Sequence, residues 1–237
     1  MPPIAQRAEI VPISSLGIVS FFLVKGDRPI LIDTGLPRPG QGILRAITQH
    51  GVVPSDLALI VITHGHPDHT GGVAELQRAT GVPVAVHRLE AQALRTGRSE
   101  PLRPLTTAGK ILSAASPFLS GIHVQPAEAV FLVDDGFALD GFGVGGRIVW
   151  TPGHTAGSIS VLLEGGDVFV GDLLMGAILR PRYPGMPRWA DDPASLRGSI
   201  EKVLSWGPAR IHASHGGPFE PEDVRRFLDD WLTRNPG

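Results

Sequence analysis

Hydrophobic positions along the chain fall in short runs of strand length, spaced by polar and glycine-rich segments. Residues 17–24 (GIVSFFLV) and 29–33 (PILID) flank a KGDRP turn and predict a β-hairpin. Residues 40–50 predict a helix. Residues 57–63 (LALIVIT) are almost unbrokenly apolar, the pattern of a strand buried on both faces. A polar hexad follows at 64–69, and 71–79 then predict a helix. Residues 82–86 predict another buried strand, leading to a helix near 88–96. The stretch 97–127 is less regular and carries Pro101, Pro104, Pro117 and Pro126. Beyond it, strand-like runs at 129–133, 146–151, 158–163 and 167–171 alternate with Gly- and Asp-rich turns. Residues 193–205 predict a helix opened by Asp192 or Pro193. A short strand at 209–214 and an amphipathic helix at 221–233 complete the pattern. Buried strands interleaved with helices predict the α/β class. No linker, charge block or repeat interrupts the pattern, so one domain over residues 1–237 is expected.

Composition narrows the chemistry. With 237 residues, 42% of them hydrophobic and 19% charged, the chain can bury a sizeable core. A formal charge of −2 argues against a nucleic-acid partner. There is no cysteine, which removes disulfides, thiolate metal sites and cysteine nucleophiles, so any metal must be held by His, Asp or Glu. The start of the chain, MPPIAQRAEI, lacks the basic and apolar regions of a signal peptide. The apolar stretch 18–24 is too short to span a bilayer. A cytoplasmic protein without a membrane partner is expected.

The hexad His64-Gly65-His66-Pro67-Asp68-His69 puts three histidines and an aspartate directly after a buried strand. An extended segment can send His64 and His66 to one side, because side chains alternate with period two. The turn into a helix lets Asp68 and His69 face a second point nearby. Imidazole and carboxylate donors suit zinc, iron or manganese. The same arrangement recurs further on: TPGHTAGS places His154 after a strand, VGD delivers Asp172, and SHGG delivers His215. Each polar side chain sits at a strand end with small neighbours, which leaves room for metal and substrate. Thr63, Thr70, Thr155 and Ser158 read as turn and cap groups, and His50, His87, His123 and His212 as structural.

Taken in order, LIDTG, HGHPDH, TPGHTAGS, VGD and SHGG resemble the metallo-β-lactamase-fold hydrolase superfamily over roughly residues 18–217. The resemblance implies a four-layer αβ/βα sandwich with a dinuclear metal site at one edge of two packed sheets. It implies His64, His66 and His154 on one metal, Asp68, His69 and His215 on a second, and Asp172 between them. Asp33 matches the family's aspartate that orients a ligand histidine. The implied cofactor is two divalent ions, zinc foremost, with iron or manganese as alternatives. The implied chemistry is attack by a bridging hydroxide on an ester, lactone, thioester or phosphoester of a small molecule. The second metal, or Asp68 after proton uptake, could help the leaving group depart.

After Asp172 comes AILRPRYPGMPRW (177–189), which holds the only tyrosine, Tyr183, and Arg180, Arg182 and Arg188. The phenol of Tyr183 could hydrogen-bond the substrate oxygen, and the arginines could meet an anionic substrate or simply face solvent. An exposed apolar face on this loop would suit a homodimer contact. Two other readings stand beside the hydrolase. One is a mononuclear iron enzyme resembling persulfide dioxygenases, with iron on His64, His154 and Asp172. The other is a metal-binding sensor without turnover.

Overall fold

A computed structural model describes residues 8–37, 42–101, 103–115 and 123–234. Among them, six strands form one mixed sheet in chain order: β1 (Glu9–Ser15), β2 (Val19–Lys25), β3 (Pro29–Ile32), β4 (Leu59–Ile62), β5 (Val84–His87) and β6 (Phe131–Val133). The first three are antiparallel, and β3 through β6 are parallel. A second sheet combines β7 (Phe137–Ala138), β8 (Gly146–Trp150), β9 (Ile159–Leu163), β10 (Asp167–Phe169) and β13 (Arg210–His212). A separate ribbon pairs β11 (Met175–Ala177) with β12 (Arg180–Gly185).

The residues sort into four layers by strand alternation. In β4, Ile60 and Ile62 pack with Ile43 and Ile47 of α1 (Gly42–Gln49), Val73 and Leu76 of α3 (Val73–Thr80), and Leu94 of α4 (Ala91–Thr96). The intervening Leu59 and Val61 face the second sheet and meet Ile148, Val161 and Phe169. The outer face of that sheet, with Val168 and Ile211, is covered by Leu196 and Ile200 of α6 (Pro193–Ser205) and Val224 and Leu228 of α7 (Pro221–Arg234). Three apolar interfaces thus separate helices, sheet, sheet and helices, which is the expected αβ/βα sandwich. The unbroken apolar run at 57–63 follows from this, because β4 lies between a helical layer and a sheet.

Several elements differ from the sequence reading, the short strand β7 among them. The edge strand β1 was not expected; it contains Pro12, which an edge strand tolerates because one side of its backbone needs no partner. Within the irregular 97–127 stretch, Thr107–Ala115 forms a helix, α5. Much of the stretch 177–189, read as loop, belongs instead to the β11–β12 ribbon, with a register shift between Gly176 and Ala177. Asp192 caps α6 as expected, accepting from the amides of Ala194 and Ser195, with Pro193 in the first turn. No helix among the described residues is long and apolar enough to cross a membrane. Pro117, inside the irregular stretch, lies outside the described residues.

Candidate metal centre

The strands deliver the polar side chains to one edge of the sandwich. β4 ends at Thr63 and passes into His64, Gly65 and His66, and the short helix α2 (Pro67–Thr70) carries Asp68 and His69. β8 leads to His154, β10 to Asp172 and β13 to His215. All seven expected residues come together there. They form two groups, His64, His66 and His154, and Asp68, His69, Asp172 and His215; within each group the donor atoms lie within 4.8 Å of one another.

In the first group, Nδ1 of His66 lies 2.9 Å from Nε2 of His64 and 3.1 Å from Nε2 of His154. In the second, Nε2 of His215 is 3.1 Å from Oδ2 of Asp68, and Nε2 of His69 is 3.4 Å from Oδ1 of Asp172. Asp172 stands between the groups, its Oδ2 lying 3.7 Å from Nε2 of His154 and 3.6 Å from Nε2 of His215. His69 Nε2 and Asp172 Oδ1 are buried without a hydrogen-bond partner, an arrangement expensive unless a cation is to be met there.

The far nitrogens of four imidazoles are anchored. His69 Nδ1 donates to Oδ2 of Asp33 at 2.8 Å, and His154 Nδ1 donates to the carbonyl of Trp189 at 3.0 Å. His215 Nδ1 donates to the carbonyl of Ile18 at 2.9 Å. His64 Nδ1 lies 3.1 Å from Oγ1 of Thr63, whose hydroxyl donates to Asp33. Each anchor fixes a tautomer that turns a lone pair inward.

Electrostatics divides the two groups. Burial holds His66 and His154 down at about 4 and His64 well below its ordinary value, so all three are neutral, lone-pair donors at pH 7. In the second group burial opposes charge, but the partners prevail. Asp33, Asp172 and Asp68 raise His69 well above its ordinary value, and Asp172 and Asp68 raise His215. Despite burial, His69 and His215 draw Asp68 down to about 2, and the same histidines pull Asp172 well below the usual carboxylate range. In the metal-free chain this half therefore pairs carboxylates with protonated imidazoles, and a cation would replace protons.

Tyr183 lies half-buried on β12, and among the described residues no hydrogen bond joins its hydroxyl to the seven polar side chains. Arg180 and Arg182 are exposed on the same strand, and Arg188 turns toward the sulfur of Met175 at 3.4 Å. Thr155 and Ser158 close a turn on each other, and Thr70 bonds back to His66, as turn and cap groups do. Thr63 does more than that, since it relays Asp33 to His64. Sequence reasoning also did not single out Glu90, whose buried carboxylate touches two of the loops, nor the carbonyls of Ile18 and Trp189. Backbone groups leave no signature in residue types; the glycines beside the histidines were the available hint.

Comparison with known proteins places the chain among relatives of one family. A family model described as the metallo-beta-lactamase superfamily matches residues 15–219. "Probable metallo-hydrolase YflN" of Bacillus subtilis is 29% identical over 223 residues, covering 86% of this chain and 81% of its own. "Acyl-coenzyme A thioesterase MBLAC2" of Bos taurus is 27% identical over 236 residues, covering 91% and 79%. Among solved structures, TTHA1623 in a di-iron-bound form superposes with a TM-score of 0.64 at 28% identity, covering 92% of this chain and 98% of that one.

Proposed function

The chain belongs to the metallo-beta-lactamase superfamily of metal-dependent hydrolases, and from that premise we propose that it is a dinuclear hydrolase of a small ester, lactone, thioester or phosphoester. The observation that carries the proposal is the pair of donor groups joined through Asp172. Their composition fits divalent ions: nitrogen and carboxylate donors only, with two buried donor atoms otherwise unpartnered. His64, His66 and His154 would hold one ion and Asp68, His69 and His215 the other, with Asp172 shared. Zinc is the first choice for both, and iron is the alternative favoured by the di-iron relative. When bound, two such ions supply water activation near neutral pH and polarisation of the scissile bond.

The chain's own residues contribute the remainder. Asp68 is partly exposed, in contact with His215, and anionic at pH 7, so it can accept a proton and pass it to a departing group at the open side of the site. Among the described residues the hydroxyl of Tyr183 has no hydrogen-bond partner, and it can donate to the substrate oxygen. Two hairpins flank His215: Ile18, in the turn of one, accepts its Nδ1 proton, and the amide of Gly176, on strand β11 of the other, donates to its carbonyl. The hairpin turns expose Leu16 and Ile18 on one side and Ile178 and Leu179 on the other. Aliphatic tips at the mouth favour an acyl substrate with an apolar chain over a phosphate ester, a preference that the thioesterase relative supports.

The test is metal stripping, followed by reconstitution with measured equivalents of zinc, manganese or iron and a panel of acyl esters, lactones, thioesters and phosphodiesters. Turnover that returns as the second equivalent is added supports the reading. A single iron per chain with oxygen uptake on addition of a persulfide replaces it with the dioxygenase, and metal binding without turnover replaces it with the sensor.

A further inference from the structure

Glu90 lies in a short turn, Arg88–Glu90, between β5 and α4, and is 7% exposed. β5 runs parallel to β4, with Val86 beside Ile62, so this turn emerges next to the segment that carries His64 and His66. The carboxylate reaches two loops at once. Oε2 accepts the amide of Gly65 at 2.8 Å, and Oε1 accepts the amide of Gly157 at 3.0 Å. Gly65 stands between His64 and His66, and Gly157 is three residues beyond His154. Among the described residues a backbone bond also links these loops, from the amide of Ile159 to the carbonyl of Thr63 at 3.0 Å on the strand side of the histidines, while His66 and His154 meet at 3.1 Å within the donor group itself.

The two glycines are shaped to this carboxylate. A Cβ on Gly65 would stand 2.9 Å from Oε2 of Glu90 and 2.5 Å from Cβ of Ala93. A Cβ on Gly157 would stand 2.6 Å from Oε1 and 2.7 Å from Cγ of Glu90. Neither glycine has a positive φ, so close approach rather than backbone conformation explains their lack of a side chain. A buried carboxylate held by two amide donors is a strong, directional contact.

We propose that Glu90 is a positioning residue, a clamp that holds the His64–His66 loop and the His154 loop at the spacing a single metal ion requires. This rests on the donor assignment above, in which His64, His66 and His154 share one ion. Glu90 acts on this group alone, because neither of its bonds reaches Asp68, His69, Asp172 or His215.

Two measurements on Glu90→Gln test it. Amide hydrogen exchange on metal-free protein is expected to show Gly65 and Gly157 slow in the parent and faster in the variant, since an amide side chain can accept only one of the two N–H groups. Zinc titration followed by imidazole 15N resonances reads each histidine separately. His64, His66 and His154 are expected to fill with affinity about 10- to 100-fold weaker, the usual effect of losing a group that orients ligands, while His69 and His215 keep their midpoint. Gly157→Ala, which pushes the carboxylate away with Glu90 still present, is expected to reproduce both effects and serves if Glu90→Gln does not fold. Unchanged exchange at both glycines, or equal weakening of both groups, overturns the clamp. Should the parent take up no metal, the hydrolase reading fails, and the exchange measurement on metal-free chains still decides whether Glu90 ties the loops.

Discussion

Oδ2 of Asp33 lies 2.8 Å from Nδ1 of His69, with both side chains almost wholly buried. Asp33 follows β3 with a φ of 60°, a left-handed conformation that aspartate adopts more readily than most residues. From there the same carboxylate also takes the amide and hydroxyl of Thr63. One aspartate therefore aligns a histidine of each donor group, His69 directly and His64 through Thr63. Asp33→Asn tolerates the backbone angle and removes the charge. Its expected result is zinc affinity about 10- to 100-fold weaker at the Asp68–His69–His215 group, and a lower His69 pKa in the metal-free chain. Histidine NMR titration reads both, and an unmoved His69 would exclude the role.

Stability of the metal-free protein is expected to peak near pH 6.5. Burial holds His66 and His154 at about 4, against an unfolded value near 6.5. Between those values the unfolded chain binds protons that the folded chain refuses, so stability falls as pH falls, by at most about 1.4 kcal/mol per pH unit for each histidine. His69 and His215 act in the other direction. In spite of burial for both, the folded value of His69 is raised by Asp33, Asp172 and Asp68, and that of His215 by Asp172 and Asp68. Their contribution is full below about 6.5 and is lost as pH rises through the folded values. Urea midpoints of chelator-treated protein at acid, near-neutral and alkaline pH trace the curve, and a steady rise from acid to alkaline would refute it.

The contrast between what was and was not legible in the chain has a physical basis. Fully buried β4 announced itself because both its faces are apolar, whereas edge strand β1, with alternating exposure and Pro12, carries no comparable apolar run. The β11–β12 ribbon was hidden by Pro181 and Pro184, tolerated because both strands are edges of a two-stranded sheet. Seven polar side chains could be picked out because they cluster within a few residues after a strand, beside glycines, with Asp68 and His69 on the short helix that follows β4. Glu90 could not, since its partners lie 25 and 67 positions away and offer only backbone amides. Thr63 could not either, because a threonine ending a strand is ordinary until Asp33 is seen beside it.

Tyr183→Phe tests the phenol without disturbing packing, because the hydroxyl holds no partner within the described chain. Loss of one donor to a developing oxyanion costs about 100- to 1000-fold in kcat. The expected outcome is a fall of that size with KM and metal content unchanged. Less than a twofold change (~2) would remove Tyr183 from the reaction, since a single useful donor is worth far more.

Chain-length preference should follow the aliphatic turn tips. Leu179 is 92% exposed and Leu16 is 80% exposed, on hairpins bonded to opposite sides of His215. Solvent-facing leucines this prominent bury nothing in the free protein, so Leu179→Ser and Leu16→Ser should leave folding nearly untouched. A substrate chain laid against them would remove apolar surface from water on both partners. Covering one leucine fully is worth about 1.5–3 kcal/mol, which sets a loss of roughly 10- to 100-fold in kcat/KM for long acyl chains. Short acyl chains reach neither tip and should lose nothing. The loss should appear in KM rather than kcat, because the contact is the same before and during bond cleavage. An equal loss for acetyl and long-chain esters would mean that the tips shape the site itself, and no loss for either would separate them from substrate altogether.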